Sequence, residues 1–454
     1  MDRPNGHPKE QLKLHGEYVQ DGTESPAASL VKPGMPLVLT YKMSERELGA
    51  ENLLRNIAGG ASAWQEVCGL YQEAKEITVF ERVYQEILHC QCKYRLKPKF
   101  NRTGKEVLIT APGPAKVRPG SRYSVDFAVA VAIDKYEYHL PLERQRRKME
   151  AQGLDIDIKT LYGFCEALAE HCEVVSDRIR RDILEDFCAA HVDESPWPIQ
   201  GQDSQGYMWA LSNRRGAYYR FEPTRSGKIA EELLKDHRGS ILTDRYGGYN
   251  RVKKLGTLRA GHYWSHARRE CYERLDNYPQ EATEALGYID QLFAIEARAK
   301  TFDDLKTVRQ TESRDLVRDF HAWMLKTRGR YLERSGLHGA ISYCLKFWQE
   351  LTQFTRDLSL PLSNNDAERA IRHIVMGRKN FNGSKTINGA DTAASIYTVI
   401  ESCKRVGLQP GQYLKYLVEA RHFRDEIQTS FERSMAILGP NKKVQFPAED
   451  AWQI

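Results

Sequence analysis

The sequence predicts an α/β fold, in which a mixed β-sheet domain is interrupted by an all-helical insertion. Short segments rich in apolar and aromatic residues begin near residue 187 and are bounded by proline, glycine or Asn-Arg turns, as strands are. Helical patterns without strand candidates run from about residue 265 to 354, and helices resume after a Ser-Asn-Asn sequence at 363–365. With 454 residues, the chain is long enough for two or three domains with sizeable cores.

Four strands are predicted for the sheet. A helical segment, SGKIAEELLKDH, separates the third strand from the fourth. Three strands, a helix and another strand is the opening order of an RNase H-like domain, so we expect such a core over 187–264 and 355–425, with the helical insertion over 265–354. The strand segments are DFCAAHVD, GYMWALSN, AYYRFEP and GSILTD.

Three further regions and a tail are expected around this core. Residues 1–70 read as a poorly ordered or helical N-terminal arm, because their first part is rich in Pro, Gly, Ser and charge without sustained periodicity. Residues 71–123 read as a small β region with a basic linker, since alternation over 76–97 favours a β-hairpin. Residues 124–186 are predicted to be helical and 426–454 to form the C-terminal tail.

The helical region contains two helices joined by a turn at Gly153, an arrangement that resembles a helix-turn-helix. It suits either DNA contact or plain helix packing. The basic linker has two readings as well. Between Lys93 and Arg122 there are nine Lys or Arg residues and one acid, Glu106. Such a segment is either a solvated loop or a connector that contacts nucleic-acid phosphates.

Composition excludes few classes of protein but does argue against a membrane protein. The longest apolar run, Phe127–Ile133, is far shorter than the roughly 18 residues of a membrane span. The N-terminus has no apolar stretch typical of a secretion signal, so we expect a cytoplasmic protein with no membrane partner. Its nine cysteines are odd in number and scattered along the chain without a disulfide pattern, so we expect them to be reduced thiols. The net charge of +6 suits a polyanionic partner without requiring one.

Two aspartates follow strand candidates in the same way. Asp193 ends AAHVD before Pro196, which we expect to stop the strand, and Asp244 ends SILTD before a Gly-Gly pair. Each alone reads equally as a turn former or a helix cap. Together they suggest a site for divalent cations, because Mg²⁺ prefers carboxylate oxygens and a two-cation site needs several of them.

Glu368 is the best candidate for a third acid. Ser363, Asn364 and Asn365 are competent helix caps, and they place Glu368 in the first turn or two of a helix. Its side chain then has the direction to point back toward the strand ends. The alternative is an exposed helix on which Glu368 pairs with Arg372, four residues later.

These segments resemble the transposases of the insertion-sequence-66 family, and the similarity covers about residues 85 to 420 in order. The resemblance implies that Asp193, Asp244 and Glu368 are the acidic triad of a DDE transposase and bind Mg²⁺ or Mn²⁺. It also implies cleavage at the element's end and attack of the freed 3′-hydroxyl on target DNA. The matching segments are HVDESPWP, LTDRYGGYN, YWSHARRECYE, NNDAERAIRHIVMGRKN and AASIYTVIESCKRVGLQP.

Three departures from the family pattern are visible. The family usually has Asp-Gly where this chain has Asp244-Arg245, and Asp-Asn-Asn where it has residues 363–365. Its N-terminal region commonly carries a four-cysteine zinc module. Here zinc is not expected, because the spacing of Cys90 and Cys92 is too short for a C-x₂₋₄-C knuckle. The other potential ligands near that place are Cys68 and His89.

Double-stranded DNA, as element end and target, is the expected partner. Homo-oligomers on DNA and companion proteins from the same element are expected as well. Two alternatives to an active transposase remain: an RNase H-like nuclease or resolvase without strand transfer, and a non-enzymatic DNA-binding derivative. The predicted DNA-binding residues lie in two segments, with His266 equally readable as structural: His266, Arg268, Arg269, Arg369, Arg372, Arg378 and Lys379.

Overall fold

The computed structural model describes residues 84–97, 106–186, 188–201, 205–243, 258–363, 365–423 and 425–438. The predicted N-terminal arm, residues 71–83, residues 98–105 of the basic linker and the end of the predicted tail lie outside these residues. Asp244 and the sequence that follows it to residue 257 also lie outside them.

Two short strands come first. β1 (Lys93–Arg95) pairs with β2 (Leu108–Thr110) in an antiparallel ladder, and every residue of both strands is exposed. The sequence pattern had favoured a hairpin within residues 76–97. Residues 76–83 of that segment lie outside the described residues, and β1 pairs with a strand that lies within the basic linker.

A helical layer follows. A serine and an aspartate cap two of its helices: the Ser124 side chain accepts from the amide of Phe127, and Asp157 accepts from Lys159 at 2.8 Å. Gly153 has φ +83° in the turn between the second and third helices, where the left-handed backbone favours glycine. These helices are α1 (Val125–Tyr136), α2 (Leu142–Ala151) and α3 (Ile158–Leu184).

A five-stranded mixed sheet follows the helical layer, and four of its strands correspond to the four predicted segments. Its order is β5-β4-β3-β6-β7. β4 runs antiparallel to both β3 and β5, and β6 and β7 run parallel to β3. The strands are β3 (Ala190–Trp197), β4 (Gly206–Asn213), β5 (Gly216–Glu222), β6 (Ser240–Thr243) and β7 (Arg259–Gly261), with α4 (Gly227–Leu234) between β5 and β6.

The end of β3 differs from the prediction. Asp193 is the fourth of eight strand residues rather than the last, because β3 continues through Pro196 to Trp197 against β4. The parallel ladder with β6 ends at Val192. Pro196 lies four residues beyond the last described pair with β6, and a proline has no N–H group to donate to a ladder.

Helices from the C-terminal half cover the sheet. α11 (Asn365–Phe381) packs against β3 and β4, while α12 (Ile387–Arg405) packs against β5 and α3. The Ser402 hydroxyl of α12 accepts from Ala217 N and donates to Ala217 O, each at 3.0 Å. This covers the outer edge of β5, which would otherwise expose unpaired backbone groups. Two further helices are α13 (Pro410–Phe423) and α14 (Ser430–Leu438).

The insertion between β7 and α11 is helical, as predicted. It has its own buried cluster, to which Trp264 and Phe320 belong. Its two ends meet, because Trp264 N donates to Leu362 O at 3.0 Å. The elements are α5 (Trp264–Tyr272), α6 (Pro279–Arg298), α7 (Phe302–Val308), a π-helical turn (Arg309–Ser313), α8 (Arg314–Arg328), α9 (Gly336–Lys346), α10 (Trp348–Thr352) and a 3₁₀ turn (Gln353–Thr355).

The Arg309 guanidinium sits at the centre of this insertion. It is buried, forms an ion pair with Glu296, and donates to the carbonyl oxygens of Phe354 and Leu360 at 3.2 and 2.9 Å. A buried charge is tolerated when its donors are satisfied in this way. In the part of the chain that the structure describes, no helix is both long and apolar enough to cross a membrane.

Candidate functional site

Asp193 lies on β3, on the face that it shares with His191 and Ser195, because alternate strand residues point to the same side. The side chain is half-buried, and its Oδ1 accepts from Glu194 N at 2.8 Å. The carboxylate is thus held by the strand itself at a point where the neighbouring strand β6 ends.

The register of the sheet relates the two predicted aspartates. β3 and β6 are parallel, and Val192 is the partner of Thr243. These are the residues directly before Asp193 and Asp244 in the sequence. The described ladder therefore ends one residue short of each predicted acid.

The acid next to Asp193 has a different environment. Glu194 points to the opposite face of β3, where its side chain is only 1% exposed and pairs with Arg225, whose Nε lies 2.5 Å from Oε1. A buried carboxylate paired with a guanidinium is a structural contact. The alternation of side chains along β3 thus places the half-buried Asp193 on one face and the buried Glu194–Arg225 ion pair on the other.

Glu368 lies in the first turn of α11, as the capping pattern predicts. The opposite side of this helix is buried through Ala370, Ile374 and Gly377. Tyr219 of β5 also donates from Oη to Ala370 O at 2.8 Å. The Glu368 side chain is 37% exposed, and Arg372 Nη2 lies 3.6 Å from its Oε2. The i,i+4 pair considered for the sequence is therefore present.

Glu368 lies on the same side of α11 as Arg378, which contacts β3. Residues 368, 371, 375 and 378 are spaced by three or four positions, so they lie along one side of the helix. At the end of this line, Arg378 Nη1 donates to Ser195 Oγ at 3.0 Å and also to Pro196 O. These contacts attach the C-terminal end of this side of α11 to the face of β3 that carries Asp193.

The loop after α11 fixes the same pair of elements at their far ends. Trp197 Nε1 donates to Ser384 Oγ at 3.0 Å, and Ser384 N donates to Pro198 O at 3.1 Å. Gly383 has φ +74°, and a Cβ there would overlap the carbonyl oxygen of Pro198. Only glycine meets both conditions, which explains the glycine in FNGSK.

A buried hydrogen-bonded cluster joins β3 and β6. His191 Nδ1 is 3.0 Å from Tyr263 Oη, which in turn is 3.4 Å from Leu242 O. Burial lowers the pKa of His191 from 6.5 to about 4, despite the opposing attraction of Asp366. His191 is therefore neutral near pH 7. Sequence reasoning missed both residues, although His191 shares the Asp193 face of the strand.

The predicted DNA-binding cations have different environments. Arg369, Arg372 and Lys379 are exposed on the outer side of α11, whereas Arg378 contacts β3. On α5, Arg269 is exposed, and Arg268 Nε is bonded to Asp290 Oδ1 at 2.8 Å. His266 is half-buried, and its ring is stacked against the ring of His262 with centroids 5.8 Å apart.

The donor set suits a hard divalent cation. Asp193 and Glu368 offer carboxylate oxygens, which Mg²⁺ and Mn²⁺ prefer. Among the described residues, no group of three or more His, Cys, Asp or Glu side chains is placed to hold a metal ion. Asp244, the remaining predicted acid, is outside the described residues. Of the cysteines near the family's zinc module, Cys90 and Cys92 are exposed thiols, and Cys68 lies outside the described residues.

The chain is similar to known proteins over most of this architecture. It matches the family described as "Transposase IS66 family" over residues 120–392. Similar curated proteins include "Uncharacterized protein y4hP" of Sinorhizobium fredii (strain NBRC 101917 / NGR234), which is 27% identical over 351 residues, 70% of this chain and 63% of the relative. "Uncharacterized protein y4jD" of the same strain is 25% identical over 362 residues, 72% of this chain and 68% of the relative.

The chain thus spans slightly less than two thirds of the length of the first of these relatives. The family match runs from the helical layer through the sheet and the insertion to α11 and the start of α12. It covers more than half of the chain and confirms the resemblance seen in the sequence motifs. This protein belongs to the IS66 family of transposases.

Proposed function

We propose that the protein cuts and joins DNA at the ends of a bacterial insertion sequence, using Asp193, Asp244 and Glu368 to hold Mg²⁺ or Mn²⁺. The observation that carries this proposal is the parallel register in which Val192 is the partner of Thr243. It brings the two strands that lead into the aspartates side by side. The hydrogen bond from Arg378 to Ser195 attaches the helix that carries Glu368 to β3.

The proposed reaction has two steps on phosphodiester bonds. In the first, water attacks at the element's end, the P–O3′ bond breaks and a 3′-hydroxyl is released. In the second, this hydroxyl attacks a target phosphate, a new P–O bond forms and the target's own 3′-oxygen leaves with a proton. Bound divalent cations would lower the pKa of the attacking oxygen and neutralise charge at phosphorus. The role of the three acids is to hold the cations rigidly without forming a covalent intermediate.

DNA would approach along the exposed side of α11. Arg369, Arg372 and Lys379 lie on this side, and Glu368 lies at its edge. A DNA end is repelled by the carboxylates, so neighbouring cations must hold its phosphates. We propose that Arg269 and His266 of α5 contribute to the same surface, with Arg268 released from Asp290 only when DNA competes for it.

The domain assignment follows the order of the elements. Three antiparallel strands, a helix and a fourth strand parallel to the first support an RNase H-like core over 187–264 and 355–425, with the insertion over 265–354. An insertion sequence has two ends, and the three proposed acids of one chain would serve one of them. We therefore propose that the protein acts as a homo-oligomer on double-stranded DNA, with companion proteins of the same element.

The test separates catalysis from binding. Asp193→Asn, Asp244→Asn and Glu368→Gln preserve side-chain shape but remove the charge that holds a cation, so each should abolish Mg²⁺-dependent nicking of an element end. DNA affinity in a gel-shift assay should be retained. Glu333→Gln, at an exposed acid of the insertion, is the matched control and should cut normally.

Three results would contradict this assignment. Loss of cutting and of DNA binding in parallel would give the acids a structural role. Wild-type protein that cuts but never joins a released 3′-end to a second DNA would be a nuclease without strand transfer. Wild-type protein that binds element ends but does not cut them with Mg²⁺ or Mn²⁺ would be a DNA-binding derivative.

A further inference from the structure

Positive charge is concentrated at one end of the helical insertion, in a segment that we call the basic turn (residues 326–334). It comprises the end of α8 and most of the connection to α9, and its sequence is KTRGRYLER. Four cations and one acid, Glu333, give these nine residues a net charge of +3. Three of the cations are exposed and the second is half-buried: Lys326, Arg328, Arg330 and Arg334.

The cations of the basic turn lack acidic partners among the described residues. Within that part of the chain, none of the four forms an ion pair or a side-chain hydrogen bond. Clustered like charges repel one another, and an external anion relieves this repulsion. The pattern is therefore typical of a surface for a polyanion. Other arginines of the insertion do pair with acids: Arg268 with Asp290, Arg274 with Glu270, Arg298 with Glu312, Arg309 with Glu296 and Arg318 with Asp315.

Local contacts fix the path of the basic turn. Arg330 N donates to Thr327 O at 3.0 Å, and Thr327 itself is buried. Tyr331 attaches the middle of the turn to the start of α6. Its hydroxyl donates to Glu281, and its ring packs edge-on against Tyr278 with centroids 5.6 Å apart. Because the backbone is already ordered, binding of an anion would cost mainly side-chain entropy.

α5 relates the basic turn to the sheet. This helix begins at Trp264, three residues after β7 ends at Gly261, and β7 is parallel to β6. α5 thus begins at the edge of the sheet where β6 ends at Thr243. Its other end lies next to the start of α9, because a Cβ on Gly336 would be 3.3 Å from Cδ of Arg274. The nine residues of α5 span about 13 Å, the length of about four base pairs of duplex DNA.

We propose that the basic turn is a second surface for duplex DNA, which binds backbone phosphates independently of base sequence. The inference rests on the proposed function for the identity of the polyanion, and it adds the end of the insertion to the surface of α11 and α5. Guanidinium groups bind phosphate oxygens through paired hydrogen bonds, and each phosphate contact releases counterions from DNA. His266 and Arg269 lie on α5 between the sheet and the basic turn, so the proposed contacts follow one another along the insertion.

The test neutralises the three exposed cations together, as Lys326→Gln, Arg330→Gln and Arg334→Gln in the full chain. Fluorescence anisotropy with a linear duplex of arbitrary sequence, without divalent cations, would give the affinity at several salt concentrations. The slope of log affinity against log salt should become shallower by about two to three, because each lost phosphate contact removes about 0.9. Urea unfolding should show no loss of stability, since these side chains have no acidic partner among the described residues.

A matched control removes the same charge elsewhere in the insertion. Lys306→Gln, Arg314→Gln and Arg318→Gln together also lower the net charge by three, and all three side chains are exposed. Arg314 and Arg328 are the first and last residues of α8, about 21 Å apart along the helix axis. The control should keep the wild-type salt slope. Equal flattening by both variants would show that net charge alone sets the affinity, and the inference would then be wrong.

Photo-crosslinking gives the position of the DNA. Leu332 in the basic turn is 83% exposed, and Phe302 at the start of α7 is 55% exposed. These positions lie near opposite ends of α6, whose 20 residues span about 30 Å. p-Benzoylphenylalanine introduced at residue 332 should crosslink to the duplex much more efficiently than the same group at residue 302.

Three results would overturn the inference. They are an unchanged salt slope in the basic-turn variant, equal crosslinking from the two positions, and a loss of self-association instead of DNA affinity. The last result would make the basic turn a contact with another protein molecule. All of these readouts measure binding without cutting. Wild-type protein that binds DNA through the basic turn but does not nick an element end with Mg²⁺ or Mn²⁺ would contradict the proposed function and support the inference.

Discussion

Arg378 Nη1 donates a hydrogen bond to Ser195 Oγ at 3.0 Å. This charge-assisted bond attaches the helix that carries Glu368 to the strand that carries Asp193. The sequence grouped Arg378 with Lys379 as DNA-binding cations. The structure separates them, because Arg378 points to β3 and Lys379 is exposed. This difference defines the first prediction.

Arg378→Met should lower the free energy of unfolding by about 1.5–3 kcal/mol, because it leaves the Ser195 hydroxyl and the Pro196 carbonyl without a charged donor. It should also reduce nicking, since α11 is less firmly held on β3. Lys379→Met should change stability by less than about 0.5 kcal/mol but weaken DNA binding. Urea unfolding and gel shifts on both variants would check this. Equal effects of the two substitutions on both measurements would contradict it.

Gly383→Ala should be more destabilising than Gly407→Ala. Both glycines have left-handed backbone, with φ +74° and +75°. A Cβ at 407 would meet no atom within 4 Å, so that substitution should cost only backbone strain, about 1 kcal/mol. A Cβ at 383 would also collide with the Pro198 carbonyl. Denaturant unfolding of the two variants would give the cost of the collision as the difference between their losses in free energy of unfolding. Similar losses would mean that the loop after α11 does not depend on its contact with β3.

Arg369→Ala and Arg372→Ala should each flatten the salt dependence of DNA binding. Both side chains are exposed on α11, and each lost phosphate contact lowers the slope of log affinity against log salt by about one. Arg318→Ala, at an exposed arginine of the insertion, is the control. Affinities measured at several salt concentrations would check the prediction, and an unchanged slope would place DNA on another surface.

The stability of the wild-type protein should fall as the pH is lowered from about 6.5 toward 4, in part because of His191. Its pKa is about 4 in the folded chain and ordinarily 6.5, so over this range only the unfolded state binds the proton. The shift corresponds to an upper bound of roughly 3 kcal/mol. Asp366 opposes the shift and Arg405 adds to it, while burial is its main cause.

His191→Asn should remove this contribution, because asparagine does not titrate. Unfolding free energies of both proteins at pH 4.5 and pH 7 would give the difference. If the variant lost as much stability on acidification as the wild type, the titration of other groups would account for the whole pH dependence. His139 is one such group, since its pKa is also lowered to about 4 by burial.

Local patterns predicted much of the architecture. The four strand segments and the position of Glu368 in the first turn of a helix depend on apolar runs and caps within a few residues, and the structure has them there. The end of β3 was predicted wrongly, because pairing with β4 keeps β3 extended through Pro196 to Trp197. No local pattern contains that information.

The contacts at the candidate site show the same limit. His191 and Tyr263 are 72 positions apart, and Arg378 and Ser195 are 183 apart. Each pair depends on how helices are placed on the sheet, which one sequence does not reveal. A hint was available in HVD, where alternate residues share a face and a histidine precedes the acid. The role of Arg378 had no such signal.

The hydrogen bond from Trp264 N to Leu362 O makes the helical insertion a side branch of the core. The chain leaves the core and returns to it at nearly the same point, so the core requires from this segment only that its two ends stay together. The length of the insertion and the number of its helices can then change without altering the path of the strands. Replacement of the branch by a short turn would satisfy that geometric requirement and remove Trp264, while Tyr263 would have to keep its place without the helix that now holds it.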